Sequence, residues 1–343
     1  MTEEQWNTLI RIIHGEIVDP LPVGFIIDSP WLPNWYGVSI LDYFTSDTLW
    51  FEANVKAIND FSQVMFFPGF WSEYGMCTEP SAFGAKCTFP VNEFPHAHVL
   101  IRSAAEIDHL PVPNPRTDGL LPFMLNRLKM AQEKIEDMGH RIKFAVARGP
   151  LNIASFLMGT TEFLTLMMME PEKTQLLLKK ITTFLKEWLQ LQIETFPSID
   201  GIFILDDIIG FIGDSQFSTF GVPYFKELFG LDVSVKFLHN DASCKASAPF
   251  LPEIGVNLFN MGFEISLHEL KELTQNRVAL MGNIPPRDIL ANGTAEDVHK
   301  ATLELLLSLK DRSKVIFSCG GGMPPGVSSQ NVKEFIKTVK QYR

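Results

Sequence analysis

The stretch "VKFLHNDASC", residues 235–244, begins as an apolar run and ends in three polar side chains. His239 and Asp241 stand two apart, so on an extended backbone they face the same way. A third ligand type, Cys319, lies near the end of another apolar run, "VIFSCGGGMPPG". Imidazole, carboxylate and thiolate together make a nitrogen, oxygen and sulfur set that leaves one position open, as catalytic zinc requires. The competing reading is a locally hydrogen-bonded His239 and a small buried Cys319. Asp206 and Asp207 close a third run, "GIFILDD". As neighbours on a strand, one faces inward and the other outward. They are candidates for a general base or a substrate contact, unless one caps the following helix. Arg148 ends a further run and suits either a substrate carboxylate or one of these aspartates.

Eight short runs rich in β-formers must position these groups. They cover residues 23–28, 63–68, 142–148, 201–207, 235–241, 256–262, 278–284 and 315–321. Each is nearly continuous in apolar residues, as strands buried on both faces are. Helical patterns separate them, including "LPFMLNRLKMAQEKIEDMGH" and the segments 171–197 and 286–310. Ser266, with Glu269 three residues on, predicts a helix start. Strand and helix in alternation predict a parallel sheet with right-handed crossovers. Eight units predict a closed (β/α)8 TIM barrel in a single domain spanning 1–343; an open doubly wound sheet is the alternative.

In either fold the polar groups fall at one end of the strands: Asp28, Arg148, Asp206, Asp207, His239, Asn240, Asp241, Asn260, Asn283 and Cys319. That convergence points to an enzyme. Residues 69–120 break the repeat after the second strand and read as an inserted lid with a hairpin near "AKCTFPVNEFPHAHVLI". His96 and His98 are assigned to that exposed hairpin. The aromatics Trp31, Trp35, Tyr36, Phe67, Phe70, Trp71 and Tyr74 either line a pocket for a flat substrate or pack as a lid core. The glycine run after Cys319 lacks the spacing of a phosphate loop, but its backbone suits a close approach to a ligand.

The chain has 343 residues, 46% of them hydrophobic, which is ample for a large core. With 29 basic against 40 acidic residues its net charge is -11, which argues against nucleic-acid binding. Its 4 cysteines form no C-x-x-C and no disulfide pattern. "MTEEQWNTLIRIIHGE" lacks the basic start of a signal peptide. The most apolar segment, "FLMGTTEFLTLMMME", is interrupted by polar residues, so no membrane span is expected. These features together predict a cytoplasmic setting.

"HND", "GNIPP" and "CGGGMPPGVSSQNVKEFIKTV" occur in an order and spacing that resemble the uroporphyrinogen decarboxylase superfamily. "ARGPLNIASFLMGTTEFLTLMMMEPEKTQLLLKKIT", "LDDIIGFI" and "TEPSAFGAKCTFPVNEFP" followed by "HLPVPNPRTDGLLP" are similar too, especially to its cobalamin-dependent methyltransferase branch. The resemblance implies a TIM barrel. The decarboxylases proper carry an arginine motif after the first strand, whereas this chain has "IIDSPWLPNWYG" and no arginine there. The resemblance to the methyltransferase branch implies zinc at His239 and Cys319, with Asp241 where that branch has a second Cys. It also implies a corrinoid protein as partner, carrying the cobalamin.

A carboxylate in place of a thiolate hardens the site and suits a Lewis acid acting on oxygen. The expectation is therefore methyl transfer from a small methoxylated substrate, with zinc on His239, Asp241 and Cys319 and Glu79 as an extra ligand or substrate contact. Asp206 or Asp207 would orient substrate or manage its proton. Asn283, Gly320 and Gly321 would lie against the cofactor. Transfer in the reverse direction to a thiol or pterin, metal-free decarboxylation of a small acid, and a non-catalytic binding barrel are the other readings.

Overall fold

The computed structural model describes residues 1–27 and 30–342. All eight expected runs form parallel strands, and a ninth and tenth strand make the hairpin of the insertion. In chain order they are β1 (Gly24–Ile26), β2 (Met65–Phe67), β3 (Cys87–Thr88), β4 (His96–Ala97), β5 (Phe144–Arg148), β6 (Gly201–Leu205), β7 (Val235–Asn240), β8 (Leu258–Met261), β9 (Ala279–Ile284) and β10 (Val315–Cys319). The strands β5 to β10 form one sheet in sequence order, and β1 pairs with β2. A bridge between Val23 and Phe317 joins β1 to β10, with the Phe317 amide donating to the Pro22 carbonyl. Among the described residues no ladder joins β2 to β5. Side chains fill that seam, with the rings of Phe67 and Phe144 centred 6.0 Å apart.

Strand parity sorts the side chains into two layers. Phe67, Phe144, Val146, Phe203, Phe237, Leu258, Met281 and Ile316 belong to the interior cluster, where Phe203 and Phe237 stack at 4.3 Å. Their neighbours Ala145, Ile202, Ile204, Leu238, Phe259, Leu280 and Phe317 face the helices instead. The N-terminal helix Glu3–Ile13 opens with a Thr2–Gln5 capping box. It buries Trp6, Leu9, Ile12 and Ile13 against the same interior cluster and so plugs one end of the barrel. The strands therefore present an apolar interior that gives way to polar groups only at their C-terminal ends.

Leu121–Asp137 and Pro171–Thr195 lie where periodicity placed them, whereas the expected segment 286–310 divides into a π-helical turn, Pro286–Ala291, and the helix Ala295–Ser308, which Thr294 caps. The Ser266 hydroxyl accepts from the Glu269 amide at the start of Leu267–Leu273. No single helix among the described residues is long and apolar enough to cross a membrane. In the insertion β3 and β4 pair antiparallel, with Thr88 opposite His96. His98 bonds Thr88 at 2.7 Å on its exposed surface. The early aromatics form packed core, the second of the two expectations for them. Trp31 and Phe67 are fully buried, and Trp31 stacks on Trp35 and Phe66. Phe70 and Trp71 are buried as well, and Trp35, Tyr36 and Tyr74 pack half-buried against the same core.

Candidate metal centre

Register puts Arg148 opposite Leu205, Leu205 opposite His239, and His239 opposite Asn260. The polar strand ends thus lie at one level of the barrel. Val235, Phe237 and His239 share the inward face of β7, so the imidazole caps the apolar interior. His239 Nδ1 lies 2.7 Å from Asn260 Oδ1, and Asn260 Nδ2 donates to the Met281 carbonyl at 2.7 Å. The amide's orientation is fixed by that second bond, so its oxygen accepts from Nδ1–H. His239 Nε2 is left facing two carboxylates: Asp241 Oδ1 at 3.5 Å and Asp207 Oδ1 at 4.0 Å. One ligand atom from each of Asp207, His239 and Asp241 falls within 4.8 Å of the others. Metal-binding histidines are oriented in this way, by a partner on the far ring nitrogen.

The two aspartates are held in place by backbone. The Asp241 amide donates to Asp207 Oδ1 at 2.7 Å. Gly321 has φ +75°, and a Cβ there would collide with the Asp241 carboxylate. This is a position that only glycine fits. The Gly322 amide donates to the same carboxylate. Burial opposes a charge on His239, but Asp241, Asp207 and the bond to Asn260 outweigh it and raise its pKa to about 9. Burial pushes Asp207 up despite the nearby imidazole. Burial also acts against Asp241, yet the His239 charge holds its carboxyl below the ordinary value. The donor set of one neutral-capable imidazole and two clustered carboxylates fits a divalent cation, and it is harder than the set expected from sequence.

Asp206 and Asp207 separate as adjacent strand positions must. Gly201, Phe203 and Leu205 point inward and Asp207 continues that face into the mouth. Asp206 continues the outward face of Ile202 and Ile204 and is fully buried. Its Oδ2 accepts from the amides of Leu151 and Asn152 at 2.9 and 3.2 Å. It therefore caps the helix Pro150–Met158 that follows β5. Burial raises its pKa to about 8. Gly149 has no room for a Cβ because Asp206 fills that space.

The structure does not gather Cys319 or Glu79 into the metal group. Ile316 and Ser318 take the inward positions of β10, so Cys319 falls with the buried cluster of the outer layer, its thiol 3.5 Å from the Gly321 carbonyl. Glu79 sits in the helix Thr78–Ala82 of the insertion. It accepts from the Arg148 amide at 2.9 Å and lies 3.6 Å from the Arg148 guanidinium. Glu73 bonds the same guanidinium at 2.8 Å. Burial is the main reason that the Glu79 pKa is raised. Asn283 donates to the carbonyls of Ile265 and Gly262 and braces the loop after β8. The Gly320 and Gly321 amides donate to Ile284 and Met261. Asp28 lies outside the described residues. The role of Asn260 as the partner that orients His239 was not foreseen; its position at a strand end was the available signal.

A cavity of about 400 Å3 opens beside Asp241. Its walls include Phe263, Met323, Pro324 and Arg287.

The family model for uroporphyrinogen decarboxylase matches residues 5–342. Among curated proteins, the chain is 26% identical over 264 residues to the uroporphyrinogen decarboxylase of Chlorobaculum tepidum, covering 70% of each. It is 22% identical over 279 residues to that of Mannheimia succiniciproducens, covering 77% of this chain and 76% of the relative. Among solved structures, a methyltransferase from Methanosarcina mazei superposes with a TM-score of 0.81 at 18% identity, over 97% of both chains. A B12-independent methionine synthase from Shewanella gives 0.58 at 12% identity, over 94% of this chain and 98% of the other.

Proposed function

The chain belongs to the uroporphyrinogen decarboxylase family, and from its barrel mouth we propose that it is a zinc-dependent methyltransferase acting with a corrinoid protein. The observation that carries this reading is the convergence of Asp207, His239 and Asp241 on one point, with the imidazole already turned to offer Nε2. Zinc held by these three residues would draw charge from an oxygen that loses its methyl group. Asn260 keeps the His239 lone pair aimed into the mouth. Gly321 and the Gly322 amide seat Asp241, and the Asp241 amide in turn fixes Asp207. The cavity beside Asp241 admits a small methoxylated substrate. Its methyl–oxygen bond would break with the electron pair left on oxygen, and the cob(I)alamin of the corrinoid protein would supply the nucleophile that takes the methyl group.

Two features weigh against porphyrin decarboxylation. A porphyrin bearing many carboxylates needs several free cations. The buried Arg148 is committed to Glu73 and Glu79, and the segment after β1 has no arginine. The same commitment of Arg148 weakens the metal-free decarboxylase reading, which relied on it.

Elemental analysis of purified wild type, Asp207→Asn and His239→Ala, beside a cob(I)alamin methylation assay, tests the proposal. About one zinc per chain in wild type, little in either variant, and methoxyarene-dependent methylation by wild type alone are expected. Wild type that takes up no zinc when supplied with it would overturn the metal-dependent mechanism.

A further inference from the structure

The mouth cavity carries a cation that stands outside the metal-ligating set. Arg287 lines it together with Asp241, Phe263 and Met323. Arg287 is exposed, and among the described residues its guanidinium makes no ion pair within 4 Å, although Asp288 lines the same cavity and the Arg287 charge helps to hold the Asp241 carboxyl low. Arg148, the buried arginine near the mouth, by contrast has two glutamates. The remaining walls are apolar or prolyl: Phe263 is 47% exposed, Met323 is buried beneath it, and Pro286, Pro324 and Pro325 complete the slot.

The backbone narrows the class of anion. A phosphate would want several convergent amides, and among the described residues the glycine run is the candidate that lines this cavity. Its amides are already engaged: Gly320 with Ile284, Gly321 with Met261, and Gly322 with the Asp241 carboxylate. A single planar guanidinium above an apolar slot matches a singly charged, planar carboxylate, which it can grip with two parallel bonds.

We propose that Arg287 is a specificity-determining residue, and that the mouth takes a small methyl-bearing carboxylic acid with its acid group on Arg287 and its methyl end toward Asp241. This inference rests on the methyltransferase reading for the methyl end, while the carboxylate contact is tested separately.

The test compares 4-methoxybenzoate with the neutral 4-methoxybenzyl alcohol by calorimetric titration, on wild type, Arg287→Gln and Arg287→Lys. Each protein is titrated both zinc-loaded and stripped. Wild type should bind the carboxylate about tenfold more tightly than the alcohol, the magnitude of one charged hydrogen-bond pair. Arg287→Gln should lose that preference with alcohol affinity unchanged, and Arg287→Lys should keep part of it. The preference should survive zinc removal, because a carboxylate that merely ligated the ion would lose it. A preference unchanged in Arg287→Gln, abolished by stripping zinc, or missing in wild type would overturn the proposal. Cobalamin methylation by the bound probes is scored in parallel. Discrimination without methylation would refute methyl transfer and leave the Arg287 contact standing, and methylation without discrimination would do the reverse.

Discussion

Arg148 with Glu73 and Glu79, and His239 with Asp207 and Asp241, are both sets of one basic group and two carboxylates, built on strand ends at one level of the barrel, the first on β5 and the second on β6 and β7. They differ in closure. In the first, side-chain exposure is 8%, 3% and 2%, and the cation is permanent. In the second the imidazole is 6% exposed, but its carboxylates stand 41% and 55% open. The first set is closed to solvent and pins the inserted segment 69–120 to the end of β5. The second has a basic group that must lose its proton before it can act as a ligand, and carboxylates that face solvent and one another. Equal composition therefore yields a clasp in one place and, in the other, an open group that could hold a cation.

The sharpest way to break the comparison is to remove the clasp's cation. Arg148→Met leaves two buried carboxylates without their partner, and losing one side of a buried pair costs ~3–5 kcal/mol. Urea unfolding should show that loss. Adding Glu73→Gln and Glu79→Gln to the same chain should recover a large part of it, since the buried charge is then gone. Equal instability in the single and triple variants would mean that Arg148 acts by packing alone.

At the open set the proposed metal reverses the order of effects, because stability there would come from the ion. Zinc at about 100 times its Kd should stabilise wild type by about 2.7 kcal/mol. Asp207→Asn keeps the oxygen that accepts from the Asp241 amide and removes a charge that faces another carboxylate. Without metal it should be no less stable than wild type, and zinc should no longer raise its melting temperature. A zinc response equal to that of wild type would remove Asp207 from the ligand set. Asn260→Leu should lower zinc affinity by roughly 10- to 100-fold, as losing the partner of a ligating histidine does.

A subtler difference lies in pH. Glu79 has its pKa raised, mainly by burial. The folded chain therefore holds that proton more tightly than the unfolded one, so the contribution to stability is full below about 4.3 and is lost as pH rises through the raised folded value. Glu79→Gln has no such loss. Its stability relative to wild type should climb as pH increases from about 4.3, measured by urea unfolding across that range. Parallel profiles would show that Arg148 keeps Glu79 ionised throughout.

Much of this was legible in the chain. Eight continuous apolar runs gave eight strands because burial on both faces leaves no alternation to confuse. The hairpin lay where "CTFP" and "HAHV" flank a turn-rich stretch. The split of Asp206 from Asp207 followed from parity alone. What parity could not supply was distance across the fold: Glu79 and Arg148 lie 69 residues apart, and nothing local in "TEPSAF" announces a buried guanidinium. Nor does "VNLFNMG" say that Asn260 will orient a histidine one strand away. The early aromatics were ambiguous for the same reason, since a ring's composition is the same in a pocket wall and in a core.

Cys319 is where the two lines of inference part most cleanly, and the effect at stake is small in energy. The resemblance made it a zinc ligand. The structure sets Ile316 and Ser318 toward the interior, which leaves Cys319 on the helix side of β10 while Asp207 takes the third place around Nε2. Cys319→Ala removes one buried atom from a packed layer and should cost on the order of 1 kcal/mol. Zinc stoichiometry and affinity should stay at wild-type values. The strand parity of β10 thus makes a claim about metal content that one variant can refute: zinc lost with Cys319 would require the end of β10 to turn over in the loaded protein, carrying the thiol from the outer layer into the mouth and displacing Asp207 from the set.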